Sequence, residues 1–499
     1  MYGIEPDWKA KPKKPPAPKK PEVLWSAEAR KVRRYLLTAA QDETSVHQPF
    51  WQNLQAYAAH IGAEIMIGGF CYQKKLFTDH MVRTGVFASE LVPFFRAEVL
   101  ELAPKMVWYG AANILPTTSD PLAGWDTNTR EKWACFPHAK IALKSIPVMP
   151  GAPGKQIMTT GVVTKANYIQ KNLGQRSEFH HTLGAVVVEV APDGVHFCRH
   201  LSAHPRDGAF QDLDIVVSDG TITKGNRVEC VTYGDIHIEK IDPDVAKGTW
   251  GYDAESGICD VGGSMLDTLK PLESHYHDSF DFTARSHHTR NDPHERARRI
   301  AEKMDEVESA IVVASMFLSE TRRPWCRSVH IASNHNLHMD RWLKDQSGLG
   351  DPVNAAYWCE LNAAQFRAIQ GLDDRFQVHE YALRRASKDG LDKIVFLHEG
   401  ESHKICRRIA PIECGLHGHI GPSGARGTAL NLARIVERVN IADKHTPTIR
   451  EACYVAGTSS LLDMVSNTRG PGAWMHSHIV TYPSSKRAII TMHGDRWRA

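Results

Sequence analysis

In the stretch Val231–Asp242, V-T-Y-G-D-I-H-I-E-K-I-D, a short apolar run breaks at Gly234 and delivers Asp235 and His237. A carboxylate and an imidazole one residue apart form a metal-ligating pair. On an extended strand end, residues i and i+2 point the same way, so both reach one ion. One such pair says little in a chain of 499 residues. Further ligand-type residues follow apolar runs, however: His277-Asp278, Ser333-Asn334-His335-Asn336, His417-Gly418 and Ala442-Asp443-Lys444-His445. One chemistry open to such a set is phosphoester hydrolysis. A phosphodiester's negative charge repels hydroxide, and two cations about 3.5–4 Å apart hold its oxygens and lower the pKa of a water between them. That pair needs a carboxylate bridging both ions and mixed nitrogen and oxygen ligands on each.

Strands alternating with helices must position these groups. Tyr35–Ala40 reads as a buried strand, Pro49–Gly62 as an amphipathic helix closed by glycine, and Glu64–Phe70 as a second strand, together a βαβ unit. Its polar turn, Gln41–His47, stands where such units expose ligand-binding groups, but it holds no phosphate-loop pattern. From Lys105 to about Thr223 short apolar runs alternate with turns, which predicts mostly β structure, with His180 and His181 structural. Gly262–Lys270 reads as helical. Asp292-Pro293 caps a long helix to Ser319, with Ile300, Met304, Val307, Ile311, Ala314 and Phe317 at three- and four-residue steps. Then come strand Arg327–Ala332, helix Pro352–Gln370, strands Lys393–His398 and Lys404–Ile409, and a helix running to about Val439. Strand Ala452–Gly457 and a hairpin of Trp474–Tyr482 and Ala488–Met492 complete the chain. The pattern is α/β with a site at strand C-termini.

The length calls for at least two domains. A formal net charge of +3 favours no partner class, because a basic groove can sit on a nearly neutral chain. Ten scattered cysteines without a C-x-x-C pair fit reduced thiols in a cytoplasmic protein. No apolar leader opens the chain, and runs such as Ala310–Phe317 are too short to span a bilayer. Residues 1–24 form a Lys/Pro tail expected to be disordered, a solvated leader or a nucleic-acid tether, and Leu24–Arg34 reads as a short basic helix.

The ordered motifs resemble the calcineurin-like metallophosphoesterase superfamily, whose series is D-x-H, G-D, G-N-H-[DE], a lone His often followed by Gly, and G-H-x-H. Here that series runs from Gly234-Asp235-Ile236-His237 to Ala442-Asp443-Lys444-His445 and covers roughly Cys230 to the C-terminus. The phrases R-R-Y-L-L-T-A-A-Q and E-F-H-H-T-L-G-A extend a closer resemblance, to the DNA-transfer proteins of some tailed phages, from about Arg33 to the end. The resemblance implies a smaller α/β domain at 25–228 and an αββα sandwich at 229–499. It implies two divalent cations, Mn²⁺ foremost with Mg²⁺, Fe or Zn²⁺ as alternatives. Asp235, His237 and His445 would hold one, Asp278 would bridge, and Asn334, His417 and Asp443 would hold the other. His335 would bind no metal and would serve the leaving oxygen. Three positions depart from the pattern: His277 replaces glycine, Asn336 an acid that would orient His335, and Asp443 a histidine. Asp443 hardens the second site towards Mn²⁺ or Mg²⁺.

Other groups invite roles by position. The Gly-rich G-P-S-G-A-R-G-T stretch offers backbone N–H groups and Arg426 to a substrate phosphate. His288 and Arg290, just past Asp278, offer further substrate contacts, while His476-x-His478 reads as structural. The expected function is a metal-dependent phosphodiesterase on DNA, used by a phage in the host cytoplasm, without membrane insertion and compatible with a homo-oligomer. A phosphomonoesterase on nucleotides or phosphoproteins is the first alternative. A DNA-binding or scaffolding protein with a structural or decayed metal site is the second.

Overall fold

A computed structural model of the chain describes residues 22–25, 31–72, 85–286, 289, 291–398, 408–463 and 470–499. Nearly all of the Lys/Pro tail, the middle of the basic helix expected at Leu24–Arg34, most of the strand expected at Lys404–Ile409, and His288 and Arg290 lie outside these residues. The fold is α/β. Arg33 and Arg34 belong to a strand, Arg33–Gln41, and not to the expected helix. That strand pairs in parallel with Ala63–Phe70, and the helix Gln48–Ile61 connects them. The helix starts where Nδ1 of His47 accepts the Phe50 N–H, with Pro49 in its first turn, and stops at Gly62 in the left-handed region. The expected βαβ unit is therefore present. The strands Gly184–Val190 and His196–Ser202 extend it to four strands.

The sheet that positions the candidate site has six strands, in the order Ile394–Leu397, Arg327–Ile331, Glu273–Tyr276, Cys230–Thr232, Ser477–Thr481, Arg487–Thr491. The first four run parallel, and the terminal hairpin joins them antiparallel. Alternate residues face opposite layers. Val480, Ala488 and Ile490 enter a core shared with the helices Pro243–Trp250 and Val307–Glu320, while Ile479 and Ile489 enter another. In that second core they meet Tyr454 of an eleven-stranded sheet, Ala456 just past its strand, and Leu37 and Val186 of the N-terminal sheet. The long sheet joins both halves of the chain, because Leu143–Ile146 pairs with Thr448–Arg450.

Two expected helices are corrected. The long helix is two, Pro293–Ala301 and Val307–Glu320, with Lys303 left-handed between them at φ 59° and Ile300 exposed. The helix expected to reach Val439 is one turn, Ala429–Leu432, followed by the strand Val439–Ile441. Among the described residues, no helix is long and apolar enough to cross a membrane.

Candidate metal centre

The strand Cys230–Thr232 ends before Asp235, so the D-x-H pair owes its alignment to a loop and not to a pleat. Beyond Thr232 the chain clings to the neighbouring segment: Ile236 N–H donates to the His277 carbonyl at 3.1 Å and His237 N–H to that of Asp278 at 2.7 Å. On its other side the Ser459 N–H donates to the Asp235 carbonyl at 2.7 Å. Gly234 lies where this crossing is tightest. A Cβ there would stand 2.7 Å from the backbone of Gly457 and Ser477, so no side chain fits. His478 is buried and structural: its Nδ1 accepts the Gly234 N–H at 3.1 Å and its Nε2 meets Thr249 Oγ1 at 3.0 Å. His476 bonds the Ser460 carbonyl at 2.8 Å.

Ligands arrive from the ends of two sheets. Asp235, His237 and Asp278 follow parallel strands of the six-stranded sheet, and Asn334 follows a third. His417 follows Ile412–Glu413, while Asp443 and His445 follow Val439–Ile441, both in the long sheet. The structure brings all seven together. Asp235 Oδ2 lies 2.9 Å from His445 Nε2, and that nitrogen lies 3.2 Å from His237 Nε2. His237 Nε2 is 3.8 Å from Asp278 Oδ2. The same oxygen is 3.2 Å from His417 Nε2, which is 2.9 Å from Asn334 Oδ1 and 3.7 Å from Asp443 Oδ1. Asp278 Oδ2 thus lies between His237 on one side and His417 on the other.

The donor set fits cations. Neither carboxylate oxygen of fully buried Asp235, nor Oδ1 of Asp278, accepts a formed hydrogen bond, although such groups are costly to bury unsatisfied. Among the described residues, three compact groups could hold an ion: Asp235, His237 and His445; Asp235, Asp278 and His417; and His237, Asp281 and His335. His237, Asp278, Asp443 and His445 all adopt left-handed backbone, at φ 46°, 42°, 64° and 54°. Strain of about 1–3 kcal/mol at each such residue persists only where its surroundings impose it, and it clusters at functional sites.

His335 opens the helix Asn336–Leu343 and is the most exposed imidazole of the group, at 18 %. Its Nδ1 lies 2.8 Å from the Asp281 carbonyl. A carbonyl only accepts, so Nδ1 donates, leaving Nε2 as the exchanging nitrogen, 3.8 Å from Asp278 Oδ2. Against burial, which lowers it, the charges of Asp278 and Asp281 raise the His335 pKa. Burial likewise opposes protonation of His417, but Asp278 and Asp235 push it up to about 9. Burial would raise Asp278, yet His417 and His335 hold it well below the carboxylate range.

The chain is 32% identical to Protein A1 of Escherichia phage T5 over 480 residues, covering 95% of this chain and 84% of that protein. It belongs to the protein A1 family. The expected phage relationship is thereby met. No family model matches the chain. No solved structure matches it either.

Within this A1-family chain, Asp281 is the site residue that the motif series passes over. It follows Asp278 by three positions, in D-S-F-D, and it faces two histidines: His237 Nδ1 at 3.2 Å and His335 Nδ1 at 3.4 Å from its Oδ1. Lys240 and Thr283 hold its other oxygen, each at 2.6 Å. An acid therefore does stand beside His335, supplied by another loop. Asn336 instead closes its own turn, accepting the Ser333 N–H at 2.8 Å. Asp443 is also paired with Lys444. Arg426 is exposed, and the one-turn helix beyond it is capped by Thr428 and Asn431 themselves, so the expected phosphate grip has no helix N-terminus to offer.

Proposed function

We propose that the protein is a two-metal phosphodiesterase of calcineurin-like type that acts on DNA during phage DNA transfer or host takeover. The observation that carries this reading is the convergence of six nitrogen- and oxygen-bearing side chains from two sheet ends on both sides of Asp278. The sandwich implied by the resemblance is supported by the two sheets that meet at one buried layer, with helices on the outer face of the six-stranded sheet. Asp235, His237 and His445 would hold one cation, Asn334, His417 and Asp443 the other, with Asp278 shared. Two cations there would neutralise phosphate charge and make water nucleophilic near neutral pH, and the oxygen-rich second set suits Mn²⁺.

The chain's own groups do the rest. His335, held by the Asp281 carbonyl, keeps its Nε2 proton at the mouth of the site, where a leaving oxygen can take it. Asp281 orients His335 and His237 together. The phage relationship supports DNA as the polymer. The test incubates purified protein and Mn²⁺ in parallel with plasmid DNA and a chromogenic phosphomonoester. Cleavage of DNA alone, abolished by EDTA, is expected. Turnover of the monoester with intact DNA would select the phosphomonoesterase, and inertness towards both, with cations bound, the scaffolding protein.

A further inference from the structure

A second concentration of charge lies at the far end of the strand Val439–Ile441 from Asp443 and His445. A cavity of about 230 Å³ opens there, lined by Lys140, Phe179 and His180 from one half of the chain and Arg438, Lys486 and Arg487 from the other. A depression of about 390 Å³ shares Thr182 and Lys486 with it and adds His47, Lys165 and His181. Another, of about 370 Å³, shares Phe179 and His180 and adds Arg176. Shared lining joins the three into one groove.

Its two walls are not alike. On one, Glu451 takes up Lys140 at 2.7 Å and His180 at 2.9 Å, so the charges are matched. On the other, Arg438, Lys486 and Arg487 face a single acid of the lining, Glu437, among the described residues. Arg487 is buried and spends its donors on the carbonyls of Val439 and Ala452 and on Asn440, with its guanidinium 3.9 Å above the Tyr454 ring. Arg438 reaches only Glu437, itself largely exposed, at 3.9 Å. Among the described residues, burial and the charges of Arg438 and Arg487 lower the pKa of Lys486, with no acid raising it. Crowding like charges out of water costs free energy that a bound anion returns.

Phe179 selects among anions. It is 80 % exposed and sits on the shared lip of two of the depressions. Inorganic phosphate or an acidic peptide would use the cations and leave the ring bare. A single strand uses both, its backbone following the charge and its bases stacking on an aromatic face.

We propose that this groove binds a single strand of nucleic acid, with backbone phosphates on Arg438 and Lys486, over the buried charge of Arg487, and a base stacked on Phe179. The site is separate from the metal centre, and its occupancy needs no hydrolysis.

Fluorescence anisotropy of a labelled oligothymidine with the full chain in EDTA tests this over a series of salt concentrations. The double variant Arg438→Ala/Lys486→Ala is expected to bind at least about tenfold more weakly, with a log–log salt slope shallower by about 1.4, two phosphate contacts at 0.7 each. Phe179→Ala is expected to lose about fivefold or more. With EDTA present no hydrolysis is read, so failure of the phosphodiesterase reading would leave the groove standing. Circular dichroism establishes that each variant is folded. Binding and salt slope unchanged in the folded double variant would overturn the proposal. Displacement of the strand by polyglutamate as readily as by unlabelled oligothymidine would overturn it too.

Discussion

His277 stands where the resemblance expects glycine, and the structure gives its imidazole a task. The ring stacks on His417, centroids 5.4 Å apart and 25° from parallel, with the two Nδ1 atoms 3.2 Å apart. Burial, reinforced by the charge of His417, holds the His277 pKa well below its ordinary value, so His277 stays neutral, and in the tautomer with its proton on Nε2 its Nδ1 accepts. His417 then carries its proton on Nδ1 and points Nε2 at Asn334, Asp278 and Asp443. An acceptor behind a ligating imidazole fixes its tautomer, and losing one typically costs about 10–100-fold in metal affinity. On the proposed two-metal reading, His277→Gly, which restores the common residue, is therefore expected to weaken the cation site at His417 by that factor in calorimetric titration with Mn²⁺ and to spare the site at His445. Two unchanged affinities would show that His277 only packs. No motif reports such a contact, because the two histidines lie 140 positions apart.

At the scale of elements, the split between Pro293–Ala301 and Val307–Glu320 shows what periodicity leaves out. Ile300, Met304 and Val307 keep helical spacing across the break, and spacing reports a face, not continuity. Asp305, in the connection, is drawn inward by Arg285 from another segment. Arg285 grips Asp305 at 2.6 and 2.9 Å and Asp351 at 2.5 and 2.9 Å, all three side chains being at most 10 % exposed. Arg285→Ala strands two buried carboxylates and is expected to cost about 3–5 kcal/mol. Urea denaturation reads this as a lower midpoint at constant slope. An unchanged midpoint would mean that water or Arg296, already 3.2 Å from Asp351, takes over.

At the scale of the whole molecule, the long sheet carries strands of both halves, and Glu451 fastens them at its turn. Glu451 binds His180 and Lys140, and those bonds, His180 first, pull its pKa down to about 2 against the opposing effect of burial. The folded value lies below the ordinary 4.5, so the stabilisation is complete above about 4.5 and is lost as pH falls through about 2. Glu451→Gln is expected to melt lower than wild type near neutral pH, with the gap closing between about pH 4.5 and 2. A gap independent of pH would show that Glu451 acts by packing and not by charge.

Local chemistry and spacing determined the βαβ unit, the alternation of strands and helices, the terminal hairpin and the order in which Asp235, Asp278, Asn334, His417 and His445 occur. Each of these is written in a contiguous stretch, as apolar period, glycine punctuation or a ligand after an apolar run. Tertiary structure decided the rest. It placed Asp281 beside His335, turned His277 into the partner of His417, aimed Asp235 and His237 through a left-handed loop in place of a pleat, and gathered Arg438, Lys486 and Phe179 at one groove. The physical reason is common to all four. Contacts between residues far apart in the chain depend on how sheets pack and where loops cross, and local patterns do not encode them.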